Sequence, residues 1–164
     1  MPEQIRKYLP RIISGELITA VAVTEPDAGS DVKSIRTSAR RDGGDWLLKG
    51  SKMFITNGAL ADVYFVAAKT DPAAGSKGIS IFIVEKGMKG FSVGRKLEKM
   101  GWRSSDTAEL VFDDCRVPAA NLLGEENRGF YAIMKNFQNE RIAIAAKAMG
   151  EAARAIELTL EYVR

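Results

Sequence analysis

From Leu17 to Pro118 apolar and polar residues alternate over short stretches, the two-residue rhythm of strands buried on one face. The β-rich runs are Leu17–Thr24, Ser34–Arg41, Trp46–Ile55, Val63–Lys69, Ile79–Glu85, Phe91–Gly94 and Ala108–Val117. Turn signals separate them, among them Asp42-Gly43-Gly44-Asp45, Asn57-Gly58, Asp71-Pro72 and Lys86-Gly87. Short strands so closely spaced predict an antiparallel β-barrel or sandwich. The rhythm differs on either side. Before it, Ile5, Tyr8, Leu9 and Ile12 recur at helical spacing, in a run of one or two turns that Pro10 interrupts and Gly15 ends. After Gly124, the residues Phe130, Met134, Phe137, Ile144 and Ala148 step by three, four or seven, with no proline from Asn127 onward. The pattern predicts an α+β chain: a short N-terminal helix in 1–16, a β-domain over 17–122 and a long amphipathic helix in 123–164.

A helix of about 35 residues reaches about 50 Å, more than a small β-domain can bury. Its pattern runs to Tyr162-Val163-Arg164 without a cap. Packing partners for this helix are therefore expected, from further helices of the same chain or from another subunit.

Composition narrows the chemistry. At 164 residues the chain can build one domain with a real core, and 46% apolar with 27% charged residues is ordinary for a soluble globular protein. The net charge is +3, with cations such as Arg6, Lys7, Arg40, Arg41, Arg95, Lys96 and Lys99 scattered along the chain. That scatter reads as a solvated surface, so no nucleic-acid partner is expected. Cys115 is the single cysteine, so an internal disulfide is impossible; it reads as a small buried hydrophobe in a reducing, cytoplasmic setting. The chain has no histidine, which removes Ser-His-Asp chemistry and most zinc sites, and no metal is expected. Neither a signal peptide at Met1-Pro2-Glu3-Gln4 nor a membrane span is expected.

Three segments hold side chains that could do chemistry. In Val21-Ala22-Val23-Thr24-Glu25-Pro26-Asp27-Ala28-Gly29-Ser30-Asp31 a strand runs into a tight polar loop. Its end hydroxyl and loop amides could hold a polar ring edge or an anion, and the same string fits an ordinary strand-to-loop turn. In Lys52-Met53-Phe54-Ile55-Thr56-Asn57-Gly58 alternation puts Phe54 and Thr56 on one face. An aromatic ring and a hydroxyl about 7 Å apart could stack on a flat cofactor and bond its edge, and they could equally be a core ring and a surface threonine. On the long helix, Glu140 follows Phe137 by three and precedes Ile144 by four, on or beside the apolar stripe. Burial there would favour a raised pKa, useful to a base near neutral pH, or a structural ion pair.

Together with Met100-Gly101-Trp102-Arg103-Ser104-Ser105-Asp106-Thr107, Phe112-Asp113-Asp114-Cys115-Arg116-Val117-Pro118 and Asn121-Leu122-Leu123-Gly124, these strings closely resemble the acyl-CoA dehydrogenase family, in its order and spacing, from about Pro2 onward. The resemblance implies that 1–16 end an N-terminal helical domain, 17–122 form a flavin-binding β-domain and 123–164 carry the first helix of a C-terminal helical bundle. It implies FAD as cofactor, with Val21, Val23 and Thr24 against the isoalloxazine ring, Phe54 in the place of an aromatic that packs on the ring, then Ile55, and the Thr56 hydroxyl near flavin N5. Ser30 and Arg141 fall on the acyl-CoA side.

The family's reaction removes the α-proton of an acyl-CoA thioester to a glutamate and the β-hydrogen to the flavin, giving a trans-2-enoyl-CoA. Many members carry the base in a downstream loop; the isovaleryl and long-chain branches carry it on this helix before an arginine, as in Glu140-Arg141. The resemblance also implies a homodimer or homotetramer, reoxidation by an electron-transfer flavoprotein, and a mitochondrial matrix location in a eukaryote. Two rival readings remain at this level: an acyl-CoA oxidase on the same fold, and a catalytically silent binding or scaffold module. The 164 residues by themselves are expected to be inactive.

Overall fold

The structure is a computed structural model and describes residues 2–164. Contacts divide the described residues into two compact units, one reaching to Phe130 and the other Tyr131–Arg164. In the first unit, α1 (Pro2–Ile13) leads into eight strands: β1 (Thr19–Ala22), β2 (Ser38–Asp42), β3 (Asp45–Thr56), β4 (Val63–Lys69), β5 (Ile79–Glu85), β6 (Phe91–Lys96), β7 (Thr107–Pro118) and β8 (Leu122–Leu123). The long helix α2 spans Gly129–Val163.

The helix α1 is longer than the interrupted run predicted. It passes through Pro10, which is exposed, as is Arg6, the residue whose carbonyl loses its helical donor. It ends as expected at Gly15, at φ 77°, whose amide bonds the Ile12 carbonyl at 3.1 Å. Tyr8 is its buried anchor, packed with Val63 and Ile83. The Tyr8 hydroxyl and the Lys7 ammonium both donate to Glu85 Oε1 at 2.7 Å.

The α+β class expected from the sequence is the class that folds, and the pairing of its sheet is mixed rather than wholly antiparallel. The strand order is β6-β7-β3-β2-β4-β5-β8, with β1 beside β4. Hairpin-linked neighbours such as β2–β3, β4–β5 and β6–β7 are antiparallel. The pairs β1–β4 and β2–β4 are parallel, because the chain leaves β1, makes the β2–β3 hairpin and only then returns. The sheet curls over its core: Tyr64 on β4 meets Phe91 on β6, ring centroids 4.6 Å apart, although three strands lie between them in the sheet. Trp46 on β3 likewise meets Phe82 on β5 edge to face at 5.2 Å. Leu48, Val66, Val84, Leu110, Phe112 and Val117 fill the space between.

The run predicted as a strand from Ser34 is a 3-10 turn at Val32–Ser34, and strand pairing begins only at Ser38. The amides of Arg36 and Thr37 are taken by the carboxylate of Glu25, at 2.6 and 3.0 Å, and so are withheld from any ladder.

Cys115 is fully buried, and burial pushes its thiol up to about 11. We expect no reaction with a water-soluble disulfide reagent at pH 8 while the protein is folded, and full reaction in denaturant. Thiol release from the native protein at the unfolded rate would contradict this placement. A second expectation concerns Gly78, whose carbonyl accepts from the Thr70 and Asp71 amides. A Cβ there would lie 1.8 Å from the Asp71 carbonyl oxygen. Gly78→Ala should force the 70–78 loop open at a cost of about 1–3 kcal/mol, read as a lower unfolding midpoint in calorimetry.

From Gln138 onward the residues of α2 are exposed, including the large apolar Ile142, Ile144, Met149, Ile156, Leu158 and Leu160. Among the described residues no helix is long and apolar enough to cross a membrane.

Candidate functional site

The end of β1 and the end of β3 lie side by side. The Met53 amide donates to the Thr24 carbonyl at 2.9 Å, and the Asn57 side chain donates to the Thr19 carbonyl at 3.1 Å. These two bonds bring Val21, Val23 and Thr24 against Phe54, Ile55 and Thr56, six residues that the sequence had placed in two separate strings. Their side chains divide by face. Val21 and Phe54 are 51% and 63% exposed, Thr56 is exposed and Thr24 is half-buried. Val23 and Ile55 turn inward, at 6% and 2%.

The exposed face of Phe54 depends on an irregularity. Between Lys52 and Ile55 the register against β7 shifts: three steps on β3 face two on β7, from Leu110 to Ala108. One extra residue is accommodated, and Phe54 takes φ 59°, a left-handed conformation uncommon for a bulky residue. The bulge reverses the strand's phase, so that Lys52 and Ile55 both point inward while Phe54 stands out. Strained backbone of this kind costs on the order of 1–3 kcal/mol and collects at binding sites. On β1 the simple alternation stops at Ala22, and Val23 is buried where alternation would have paired it with exposed Val21.

Beneath this surface lies an ion pair that sequence reasoning missed. Lys52 is wholly buried and Glu25 nearly so, with Nζ 2.8 Å from Oε1. Lys52 also donates to the Val23 carbonyl at 3.0 Å. Burial pushes the Lys52 ammonium down to about 8 against the pull of Glu25. Burial also pushes the Glu25 carboxyl up, but the Lys52 cation, with hydrogen bonds from Lys52 and the Thr37 and Arg36 amides, outweighs it and holds the group below the usual carboxylate range. The available signal was a lysine in the same alternation as Trp46 and Leu48 on β3, an inward position that demands a buried anion.

The turn after β3 is fixed independently. Asp106 Oδ2 accepts from the Ala59 and Leu60 amides at 2.8 and 3.2 Å, and the buried Tyr64 hydroxyl bonds the Gly58 and Ala61 carbonyls at 3.0 and 2.8 Å.

Ser30 is exposed on the 25–31 loop, which a reciprocal pair of backbone bonds between Glu25 and Ala28 closes into a tight turn. Glu140 and Arg141 belong to the second unit and are exposed on α2, where the Asn136 side chain donates to the Glu140 carboxylate.

A flat, mostly apolar ring with polar edges suits this donor set. Phe54 and Val21 offer exposed apolar surface, and the Thr24 and Thr56 hydroxyls flank it with groups that can donate or accept.

Known proteins share this architecture. The family description "Acyl-CoA dehydrogenase, middle domain" matches residues 20–115, and "Acyl-CoA dehydrogenase, C-terminal domain" matches 127–164. The long-chain specific acyl-CoA dehydrogenase of Sus scrofa is 52% identical over 99% of this chain, and the isovaleryl-CoA dehydrogenase of Pongo abelii 51% over 98%. The chain spans 38% of the length of each of these relatives. The solved structure of butyryl-CoA dehydrogenase from Megasphaera elsdenii superposes with a TM-score of 0.88 at 44% identity, covering 92% of this chain and 39% of that one. With identity near one half over almost every residue, and with the β-sheet and helix both matched, this chain belongs to the acyl-CoA dehydrogenase family.

Proposed function

We propose that this chain is the FAD-binding part of an enzyme that oxidises an acyl-CoA thioester to a trans-2-enoyl-CoA, with Glu140 as the base. The observation that carries the reading is the joining of Val21, Thr24, Phe54 and Thr56 on one exposed face by the β1–β3 bonds. Identity of about half to relatives named as acyl-CoA dehydrogenases supports the reaction class. On this reading, 17–122 form the flavin-binding β-domain, 1–16 end an N-terminal helical domain and 123–164 begin a helical bundle.

Each residue has a distinct task. Phe54 packs on the ring, Val21 gives it an apolar neighbour, and Val23 and Ile55 contribute backbone. The Thr24 and Thr56 hydroxyls bond the ring's polar edges, which fixes its orientation. Ser30 and Arg141 lie on the acyl-CoA side. Glu140 takes the α-proton, so its carboxylate must be deprotonated when substrate arrives. FAD, when bound, supplies the acceptor for the β-hydrogen, which leaves with its electron pair as the carbon–carbon double bond forms. The electrons then pass to an electron-transfer flavoprotein, and the whole protein works as a homodimer or homotetramer, in the cytoplasm or in a mitochondrial matrix.

The test is product analysis. The complete protein, supplied with FAD, an artificial electron acceptor and acyl-CoAs of varied length and branching, should convert at least one to the enoyl-CoA, two hydrogens lighter. Product formed only with oxygen, matched by hydrogen peroxide, would make it an oxidase. No enoyl-CoA from any substrate, with flavin bound, would refute the proposed reaction.

A further inference from the structure

The buried pair of Glu25 and Lys52 is better placed for aligning the site than for supporting the fold. The bonds of Lys52 run to the segments that carry the exposed face, and those of Glu25 tie Lys52 to the chain before β2. Lys52 reaches back from β3 to the Val23 carbonyl at 3.0 Å, one residue before Thr24. In the next residue along β3, the Met53 amide takes the Thr24 carbonyl, and the residue after that is Phe54 in its left-handed conformation. Glu25 holds the other side: Oε1 accepts from Lys52 at 2.8 Å, and its two oxygens take the Thr37 and Arg36 amides. Its own backbone closes the 25–28 turn onto which Ser30 follows. A single carboxylate thus ties three segments together, and a single ammonium ties the strand end to the bulge.

Energetics point the same way. Two charges taken out of water recover little net stability over apolar residues of the same shape, whereas they fix geometry through directional bonds.

We propose that the Glu25–Lys52 pair is a positioning device for the flavin ring: it clamps the end of β1 onto the bulge of β3 and so holds Phe54, Thr24 and the backbone between them in the arrangement that receives the ring. This rests on the flavin reading given above. Neither residue touches the ring's face; both act through the residues that do.

The test uses the complete protein stripped of flavin, as wild type and as the double variant Glu25→Gln with Lys52→Met, which removes both charges together and keeps the side-chain volumes. FAD affinity is read from quenching of flavin fluorescence, ring placement from the fine structure of the bound flavin's visible bands, and integrity of the fold from the melting temperature of the apoprotein. The expected result is an apoprotein that melts within a few degrees of wild type, an FAD dissociation constant raised about tenfold to a hundredfold, the range carried by positioning groups behind metal ligands, and blurred visible bands. A double variant that binds FAD with wild-type affinity and band shape overturns the proposal. So does a double variant that fails to fold, because the pair is then a determinant of the fold. Wild-type protein that binds no FAD defeats the flavin reading itself, an outcome distinguishable from both because it is seen before any substitution is made.

Discussion

Glu140→Gln should leave FAD bound and slow flavin reduction by acyl-CoA by about 10²–10⁴-fold, the usual contribution of a positioned general base. The substitution is close to isosteric and removes only the capacity to accept a proton. Glutamine is nearly as good a helix former as glutamate, and Glu140 is an exposed residue of α2 whose carboxylate accepts from Asn136, one turn earlier on the same helix, so the helix should form as before. Loss of activity could not then be ascribed to unfolding. Stopped-flow absorbance at the flavin band, with apo and holo melting temperatures recorded in parallel, separates these effects. Reduction at the wild-type rate would place the base outside this chain. The adjacent Arg141 carries a different expectation: its loss should weaken acyl-CoA binding more than it slows the proton transfer.

Lys52→Met alone should cost about 3–5 kcal/mol of stability near neutral pH, because it strands Glu25 as a buried anion. The loss should also depend on pH with a definite sign. In wild type the Glu25 carboxyl is held below its ordinary value, so its stabilising contribution is present above the unfolded pKa and is lost as pH falls through the folded one. Without the Lys52 cation, burial is opposed only by the Arg36 and Thr37 amides, and the folded pKa rises from its wild-type position. The variant's penalty therefore grows as pH rises through that window and shrinks in acid, where Glu25 can be buried protonated. Urea unfolding of both proteins at pH 4 and pH 7 measures this: the gap should be narrower at the lower pH. A gap of the same size at both would show that Glu25 is not the stranded charge. The Glu25→Gln, Lys52→Met double variant should recover much of the stability lost by Lys52→Met, which distinguishes a penalty of unpaired charge from one of lost packing.

How far the molecule can be read without coordinates varies with the kind of interaction. β4 and β5 match their predicted bounds because an apolar run flanked by turn residues is local information. The long helix is legible for the same reason, as 35 residues with the helical period and no proline. The parallel β1–β4 pair is not, since it joins strands separated by a whole hairpin, and no local pattern records which neighbour a strand finds. The strand expected from Ser34 fails because Arg36 and Thr37 give their amides to a side chain eleven and twelve residues upstream.

The candidate site shows the same division. Phe54 and Thr56 both stand outward, as the sequence pairs them, but the bulge that puts them there depends on β7 opposite. Val23 departs from alternation just past β1, where its carbonyl accepts from buried Lys52 and the 25–28 turn follows. Glu25 sat inside a string already singled out, yet its partner lies 27 residues away on another strand. A charge that shares its inward face with apolar side chains says that a partner exists without saying where.

The most direct test of the central claim is anaerobic mixing of the complete, FAD-loaded protein with a panel of straight and branched acyl-CoAs while the flavin absorbance is followed. The account predicts bleaching with at least one of them, accompanied by one equivalent of trans-2-enoyl-CoA for each flavin reduced. Flavin that stays oxidised with every acyl-CoA would contradict it, and would mean that this member of the family has kept the ring-binding face and changed the chemistry.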